Sequence, residues 1–219
     1  MSVFREIALL LRADLRAEWR SRTALGGLLL YVAATVVIVY AALTRFSPMT
    51  WNALYWVLLF LGAVSAVARG FAREQGRRQL YYYTLVSPTA LLLAKTIYHF
   101  LLLLGIAGLN WLLLAYLGES PVERPGLFVV TLLLGCLGLA SAFTFLAAIS
   151  AKAGNNSTLL AVLAFPLVIP LLLLLVRLGG YATGLLSAGD PGSDLLIVGA
   201  IDLLSLGTGM ELFGFVWRD

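Results

Sequence analysis

The sequence predicts an all-α polytopic membrane protein with six transmembrane helices, an amphipathic interfacial helix at its N-terminus and a short cytoplasmic helix between spans two and three. Composition supports this fold class, because 61% of the 219 residues are hydrophobic and only 12% are charged, against about 45–50% and about 25% in soluble domains. The mean hydropathy is +0.97, and several uncharged apolar stretches exceed the roughly 18 residues that mark a membrane span. We expect residues 1–219 to form a single transmembrane domain.

Residues 1–22 are predicted to form an elbow helix that lies on the membrane lipids. Apolar residues recur at helical spacing along it, namely Phe4, Ala8, Leu11, Leu15 and Trp19. Charged residues fall on its other faces, namely Arg5, Glu6, Arg16 and Arg20. This pattern is typical of an interfacial helix, and the alternative is a basic flank without a defined helix.

Six apolar stretches follow, five of them free of Asp, Glu, Lys and Arg, and are predicted to be the spans. They are Thr23–Thr44, Met49–Ala68, Thr96–Leu117, Gly126–Ala151, Leu159–Val176 and Leu195–Val216. The first is interpreted as a retained anchor, because its apolar core is too long for a signal peptide. The sixth contains two acids, Asp202 and Glu211, and is the least cleanly apolar of the six.

The basic residues are distributed unevenly between alternate loops. Of the 15 Lys and Arg, all but Arg45, Arg124 and Arg177 fall on the side of residues 1–22 and of the loop 69–95. Because positively charged loops resist translocation, we expect both termini to be cytoplasmic. The net charge of +4 is small and scattered, so nucleic-acid binding is not expected.

The connection 69–95 is the longest cytoplasmic element. It begins with charged residues, passes through a mixed aromatic and apolar stretch and reaches Ser87 and Pro88. A serine is a good N-cap and a proline suits the first helical position, so a helix is predicted to start there and to run through Lys95 into the third span. The residues before it are predicted to form a short amphipathic helix lying across the membrane plane, on which a cytoplasmic partner could push, and the alternative is an ordinary positively charged loop.

Residues of this loop fit a recurring pattern in which F-x-R-E leads through a leucine-rich turn to S-P and a downstream lysine. The matching residues are Phe71, Arg73, Glu74, Leu80, Leu85, Ser87, Pro88 and Lys95. The pattern resembles the cytoplasmic loop of ABC-2-type transporter permeases. It departs from that family at residues 76–79, where a Gly-Thr-Leu-Glu run is usual. The resemblance implies that this segment, including Arg77, docks in a groove of an ATPase.

The fifth predicted span carries a second pattern. Residues 159–170 read LLAVLAFPLVIP and include Phe165, Pro166 and Pro170. This resembles the L-P-L-x-I-P-x-L signature of the haem-exporter B subunit, the CcmB family of cytochrome c maturation. The resemblance implies a non-catalytic permease of the bacterial inner membrane that works with an ABC ATP-binding subunit, a haem-handling membrane protein, a haem chaperone and a second copy of itself.

The resemblance implies no directly bound cofactor, with ATP used by the partner and haem as cargo of the complex. The sequence supports one part of this independently, because no G-x-x-x-x-G-K-[ST] motif occurs around Lys95 or Lys152, so a P-loop mechanism is not expected of this chain. The expected function is haem export or ATP-driven release of the haem-loaded chaperone. The alternatives are an ABC-2 permease for another lipid, drug or polysaccharide, and a membrane scaffold without an ATPase.

Polar residues inside spans are costly and are therefore candidates for function. They are His99, Asn110, Arg177 and Asp202. We expect Arg177 to pair with Asp202, with a water-facing Asp202 as the alternative. His99 is expected to be an interfacial histidine hydrogen-bonded to a neighbour, with haem ligation as the alternative. No metal-ligand cluster or catalytic constellation is expected.

Overall fold

The computed structural model describes residues 3–20, 22–42, 47–72, 87–117, 120–152 and 157–218. Across those ranges the chain is helical and contains no strand, as an all-α fold requires. The helices are α1 (Val3–Arg20), α2 (Arg22–Ala42), α3 (Pro48–Ala72), α4 (Pro88–Leu117), α5 (Pro125–Lys152), α6 (Ser157–Ala182) and α7 (Pro191–Arg218).

Proline and its preceding cap determine where several helices begin. Helices α3, α4, α5 and α7 each start at a proline, whose fixed φ and missing N–H suit the first helical position. The Ser47 hydroxyl caps α3 by accepting a hydrogen bond from the Thr50 N–H at 3.2 Å. The Asp190 carboxylate caps α7 by accepting hydrogen bonds from the N–H groups of Gly192 and Ser193.

Four stretches of helix are long and apolar enough to cross a membrane, which establishes a polytopic helical membrane protein. They are Pro48–Ala66, Pro88–Tyr116, Pro125–Leu146 and Pro191–Glu211. The last includes the acid-containing span that looked least apolar in the sequence. Two shorter apolar stretches lie in the described parts of α2 and α6, Leu30–Ala41 and Pro166–Ala182.

Helix α5 lies at the centre of the bundle and packs against α3, α4, α6 and α7. Its buried side chains include Cys136, Leu139 and Phe143, which share one apolar core with Trp51 and Tyr55 of α3. The N–H groups of Glu123 and Arg124 donate to the Ala182 carbonyl, so α5 begins where α6 ends. We call that end of the bundle the opposite face, and the end that carries α1 the α1 face.

The helix boundaries add detail to the predicted coupling loop. Helix α3 continues to Ala72, so the first four residues of the predicted cytoplasmic connection 69–95 are helical. Helix α4 begins at Pro88, and the Leu91 N–H donates to the Ser87 carbonyl, which confirms the predicted start. The predicted coupling helix falls in 73–86, outside the described residues.

Helix α1 is strongly amphipathic, and its orientation adds to the sequence prediction. Its half-buried residues face the bundle and include all three of its acids. These half-buried residues are Glu6, Ile7, Leu10, Leu11, Asp14 and Glu18. The predicted apolar stripe faces away from the bundle at Phe4, Ala8 and Leu15. Phe4 is 86% exposed, so this stripe is free to contact lipid.

Candidate coupling site

The N-terminus of α4 contacts α1 directly. The Glu6 carboxylate accepts hydrogen bonds from the Ser87 hydroxyl at 2.9 Å and from the Ser87 N–H at 3.3 Å. A carboxylate at this position is favourable because helix N-termini carry unpaired N–H groups and a partial positive charge. Glu6 therefore holds the first turn of α4, immediately after the segment that was predicted to couple to a partner.

Two further acids of α1 contact α4 deeper along its length. Asp14 forms an ion pair with the Lys95 ammonium at 3.0 Å, and the two side chains are only 18% and 11% exposed. The Tyr98 hydroxyl donates to Glu18 at 2.8 Å. We call these three contacts the α1–α4 junction, defined by the pairs Glu6–Ser87, Asp14–Lys95 and Glu18–Tyr98.

The sequence contained a signal for the junction that our prediction did not use. Glu6, Asp14 and Glu18 are separated by multiples of four residues, a spacing that places side chains on one side of a helix. Our reading of α1 followed its apolar stripe and placed Glu6 only off that stripe. It matched Lys95 to a family pattern without identifying its partner.

Polar contacts continue from the junction into the bundle. His99 follows Tyr98, and their rings lie 5.2 Å apart. The Nδ1 atom of His99 is 2.8 Å from the Thr144 hydroxyl of α5, and the Thr144 hydroxyl also donates to the Ala140 carbonyl. His99 is 1% exposed and joins α4 to α5 inside the bundle, and its contact with Thr144 is the expected hydrogen bond to a neighbour.

Asp202 of α7 is buried at the contact with α5 and α6. It is 2% exposed, and neither carboxylate oxygen has a hydrogen-bond partner among the described residues. A Cβ atom added at Gly138 would contact this carboxylate and Leu171. The close approach of α5 and α7 therefore requires a glycine here. Asp202 is not water-facing, and Asn110 is likewise fully buried without a described partner.

Arg177 corrects the predicted ion pair. Its Nε atom lies 3.1 Å from the Asp194 carboxylate, so Asp194, and not Asp202, is its partner. The Arg177 guanidinium also donates to the Tyr181 hydroxyl at 3.3 Å and lies 6.0 Å from the centre of that ring. Asp194 is in the first turn of α7, so this pair ties α6 to the start of α7 on the opposite face.

Reversal of charge at this pair tests the correction. We expect Arg177→Asp or Asp194→Arg alone to lower the midpoint of thermal unfolding of the detergent-purified protein, because each places like charges together. The double reversal should recover most of the loss. The double change Arg177→Asp with Asp202→Arg is the control, and recovery there instead would restore the original prediction.

A polar contact between α3 and α6 was missed by the sequence analysis. The Asn52 side chain donates to the Val176 carbonyl at 2.7 Å and accepts from the Trp56 indole at 3.0 Å. A Cβ atom at Gly179 would contact both side chains, so α3 and α6 approach closely there. The signal was an asparagine four residues before a tryptophan inside an apolar span.

The remaining predicted residues divide into two groups. Arg73, Glu74, Arg77, Leu80 and Leu85 lie outside the described residues. Phe71 is in the last turn of α3, and Phe165 is in α6. Pro166 and Pro170 are exposed on α6 and line a groove with Phe145 of α5 and Thr208 of α7.

The described residues bring no three His, Cys, Asp or Glu side chains together in a way that could hold a metal ion. The arrangement instead links helices mechanically, through the α1–α4 junction and the His99–Thr144 contact.

Comparison with known proteins identifies the chain's family. A search of curated proteins found no match. A family model described as CcmB protein matches residues 5–210, which covers α1 through most of α7 and both segments that carried the resemblance. The chain belongs to the CcmB family and is a membrane component of the haem-export system of cytochrome c maturation.

Proposed function

We propose that this chain is the transmembrane permease subunit of an ABC transporter complex in cytochrome c maturation. In this proposal a separate ATPase docks on residues 69–95, and a second copy of the chain completes the transmembrane part. The partners are the ATP-binding subunit, a haem-handling membrane protein and a haem chaperone. Membership of the CcmB family supports the proposal that the chain works together with other components of the cytochrome c maturation system.

The α1–α4 junction is the observation that carries the proposal. The proposed docking residues 69–95 include Ser87, and Ser87 is hydrogen-bonded to Glu6. A displacement of that segment would therefore reach α1 and α4 together. Helix α4 packs against α3 and α5, and His99 bonds to Thr144 of α5, so the displacement has a direct route into the bundle.

Six spans and cytoplasmic termini in the bacterial inner membrane form part of the proposal. Helices α2 and α6 contain 21 and 26 residues, or about 31 and about 39 Å at about 1.5 Å per residue, against a hydrocarbon core of about 30 Å. Each is long enough to cross. The concentration of Lys and Arg on the side of the α1 face supports a cytoplasmic location for that face.

We favour ATP-driven release of a haem-loaded chaperone over passage of haem through this subunit. Several buried polar side chains of the spans are engaged in contacts between helices, as in His99–Thr144 and Asn52–Val176. Such contacts transmit movement and would have to break if the same groups were to bind cargo. Family membership supports cytochrome c maturation over export of another lipid, drug or polysaccharide.

Purification from native membranes in mild detergent, with partners identified by mass spectrometry, tests the proposal. We expect a stoichiometric ABC ATPase together with a haem-handling protein. Changing Glu74→Gln and Leu80→Ser should remove the ATPase, whereas Glu123→Gln on the opposite face should leave it bound. Recovery of the unaltered protein without any ATPase would contradict the proposal and favour a scaffold.

A further inference from the structure

Charges on α1 are segregated by sign. The acids Glu6, Asp14 and Glu18 face the bundle, and each contacts α4. The arginines Arg5, Arg12 and Arg16 are exposed, and the described part of the chain offers none of them an ion-pair partner. Among the described residues, the outward side of α1 therefore carries positive charge without a compensating acid. We call Arg5, Arg12 and Arg16 the arginine stripe.

The arginine stripe runs beside the apolar stripe. At 3.6 residues per turn, Arg5, Arg12 and Arg16 fall within an arc of about 40°. Phe4, Ala8 and Leu15 fall within an adjacent arc of about 40°. Both stripes are exposed and run along the same length of helix. An interfacial helix places such an apolar stripe among acyl chains and the neighbouring basic stripe among headgroups.

We propose that the arginine stripe binds the phosphate headgroups of anionic phospholipids. The guanidinium group forms paired hydrogen bonds with phosphate oxygens. Anionic headgroups add a net negative charge that zwitterionic headgroups lack, and basic side chains near such a surface are attracted to it. Because the acids of α1 are turned inward and engaged with α4, they do not offset this attraction. The α1–α4 junction thus also creates the lipid-binding surface.

The lipid-binding surface is distinct from the proposed ATPase-docking segment. It lies on the side of α1 that faces away from the bundle, whereas Ser87 and Lys95 contact the inward side. The inference requires no ATPase and can fail or hold independently of the proposed function.

Reconstitution of the purified chain into nanodiscs tests the proposal. One set contains phosphatidylcholine with an equal amount of phosphatidylglycerol, and native mass spectrometry after mild delipidation measures which lipid stays bound. We expect phosphatidylglycerol to be retained preferentially. The triple change Arg5→Gln, Arg12→Gln and Arg16→Gln should abolish the preference, with up to about a fivefold loss for each arginine.

Two controls keep the test independent of folding. Arg124→Gln removes one exposed arginine from the opposite face, and we expect it to retain the preference that Arg12→Gln reduces. For the unaltered protein, higher salt during delipidation should weaken the preference, because salt screens exposed charges.

Two results would overturn the proposal. One is equal retention of the two lipids by the unaltered protein, and the other is a full lipid preference in the triple variant. If a triple variant with full lipid preference has lost a protein partner in native membranes, the arginine stripe is assigned to that partner.

Discussion

Replacing Gly138 with alanine is expected to lower the free energy of unfolding by about 1–3 kcal/mol, as overpacking of a close-packed interior does. A Cβ atom at this position would lie 2.8 Å from the Leu171 Cδ2 atom and 3.2 Å from the Asp202 Cγ atom, with a carboxylate oxygen closer still. Helices α5, α6 and α7 meet there, so they must separate or the Asp202 side chain must turn. Denaturation of the detergent-purified protein measures the loss.

Gly199→Ala on α7 is the matched control, because a Cβ there meets nothing within 4 Å. It should stabilise the helix by up to about 1 kcal/mol, since alanine is the better helix former. Combining Gly138→Ala with Asp202→Ala should recover part of the lost free energy of unfolding, with a coupling energy of about 1 kcal/mol or more between the two changes. If Gly138→Ala is as stable as Gly199→Ala, the close contact at Gly138 is wrong.

Reversing Lys95 to aspartate is expected to cost about 2–3 kcal/mol and to detach α1 from α4. The change places a second carboxylate beside Asp14 in a largely buried site. Breaking a fully buried ion pair costs about 3–5 kcal/mol. We expect a smaller loss of stability here because the two side chains remain 11% and 18% exposed. Denaturation gives the energy, and the rate of protease cleavage within α1 reports its detachment.

The double reversal Asp14→Lys with Lys95→Asp distinguishes the interaction between the two side chains from the effect of changing either residue alone. It should restore stability and protect α1 from cleavage, because the opposite charges again face each other. Arg124→Gln, which removes the charge of an exposed arginine, should change neither property measurably. A Lys95→Asp variant that matches Arg124→Gln would show that the ion pair does not hold α1.

The helices were predictable from the sequence because local chemistry determines them. Apolar stretches marked the membrane-crossing helices, and Ser87 with Pro88 marked the start of α4. The end of α3 was not predictable in the same way, because the chain turns polar at Arg69 while α3 continues to Ala72. Hydropathy registers the loss of apolar character, whereas helical geometry can persist beyond it.

Partners of polar side chains were less predictable because they depend on helix packing. The prediction paired Arg177 with Asp202 and did not consider Asp194, which lies immediately before the predicted sixth span. Asp194 is the partner because it sits in the first turn of α7, beside the end of α6. The contacts of Lys95 and Asn52 likewise join helices whose relative placement the sequence did not reveal.

The α1–α4 junction also has a consequence for synthesis of the protein. Its contacts join residues that are 80 or 81 positions apart in the chain. At about 5–20 residues per second, the ribosome makes the partners of α1 roughly 4–16 s after α1 itself. Glu6, Asp14 and Glu18 have no α4 to contact during that interval. Helix α1 therefore cannot dock on α4 until α2, α3 and the start of α4 have been made.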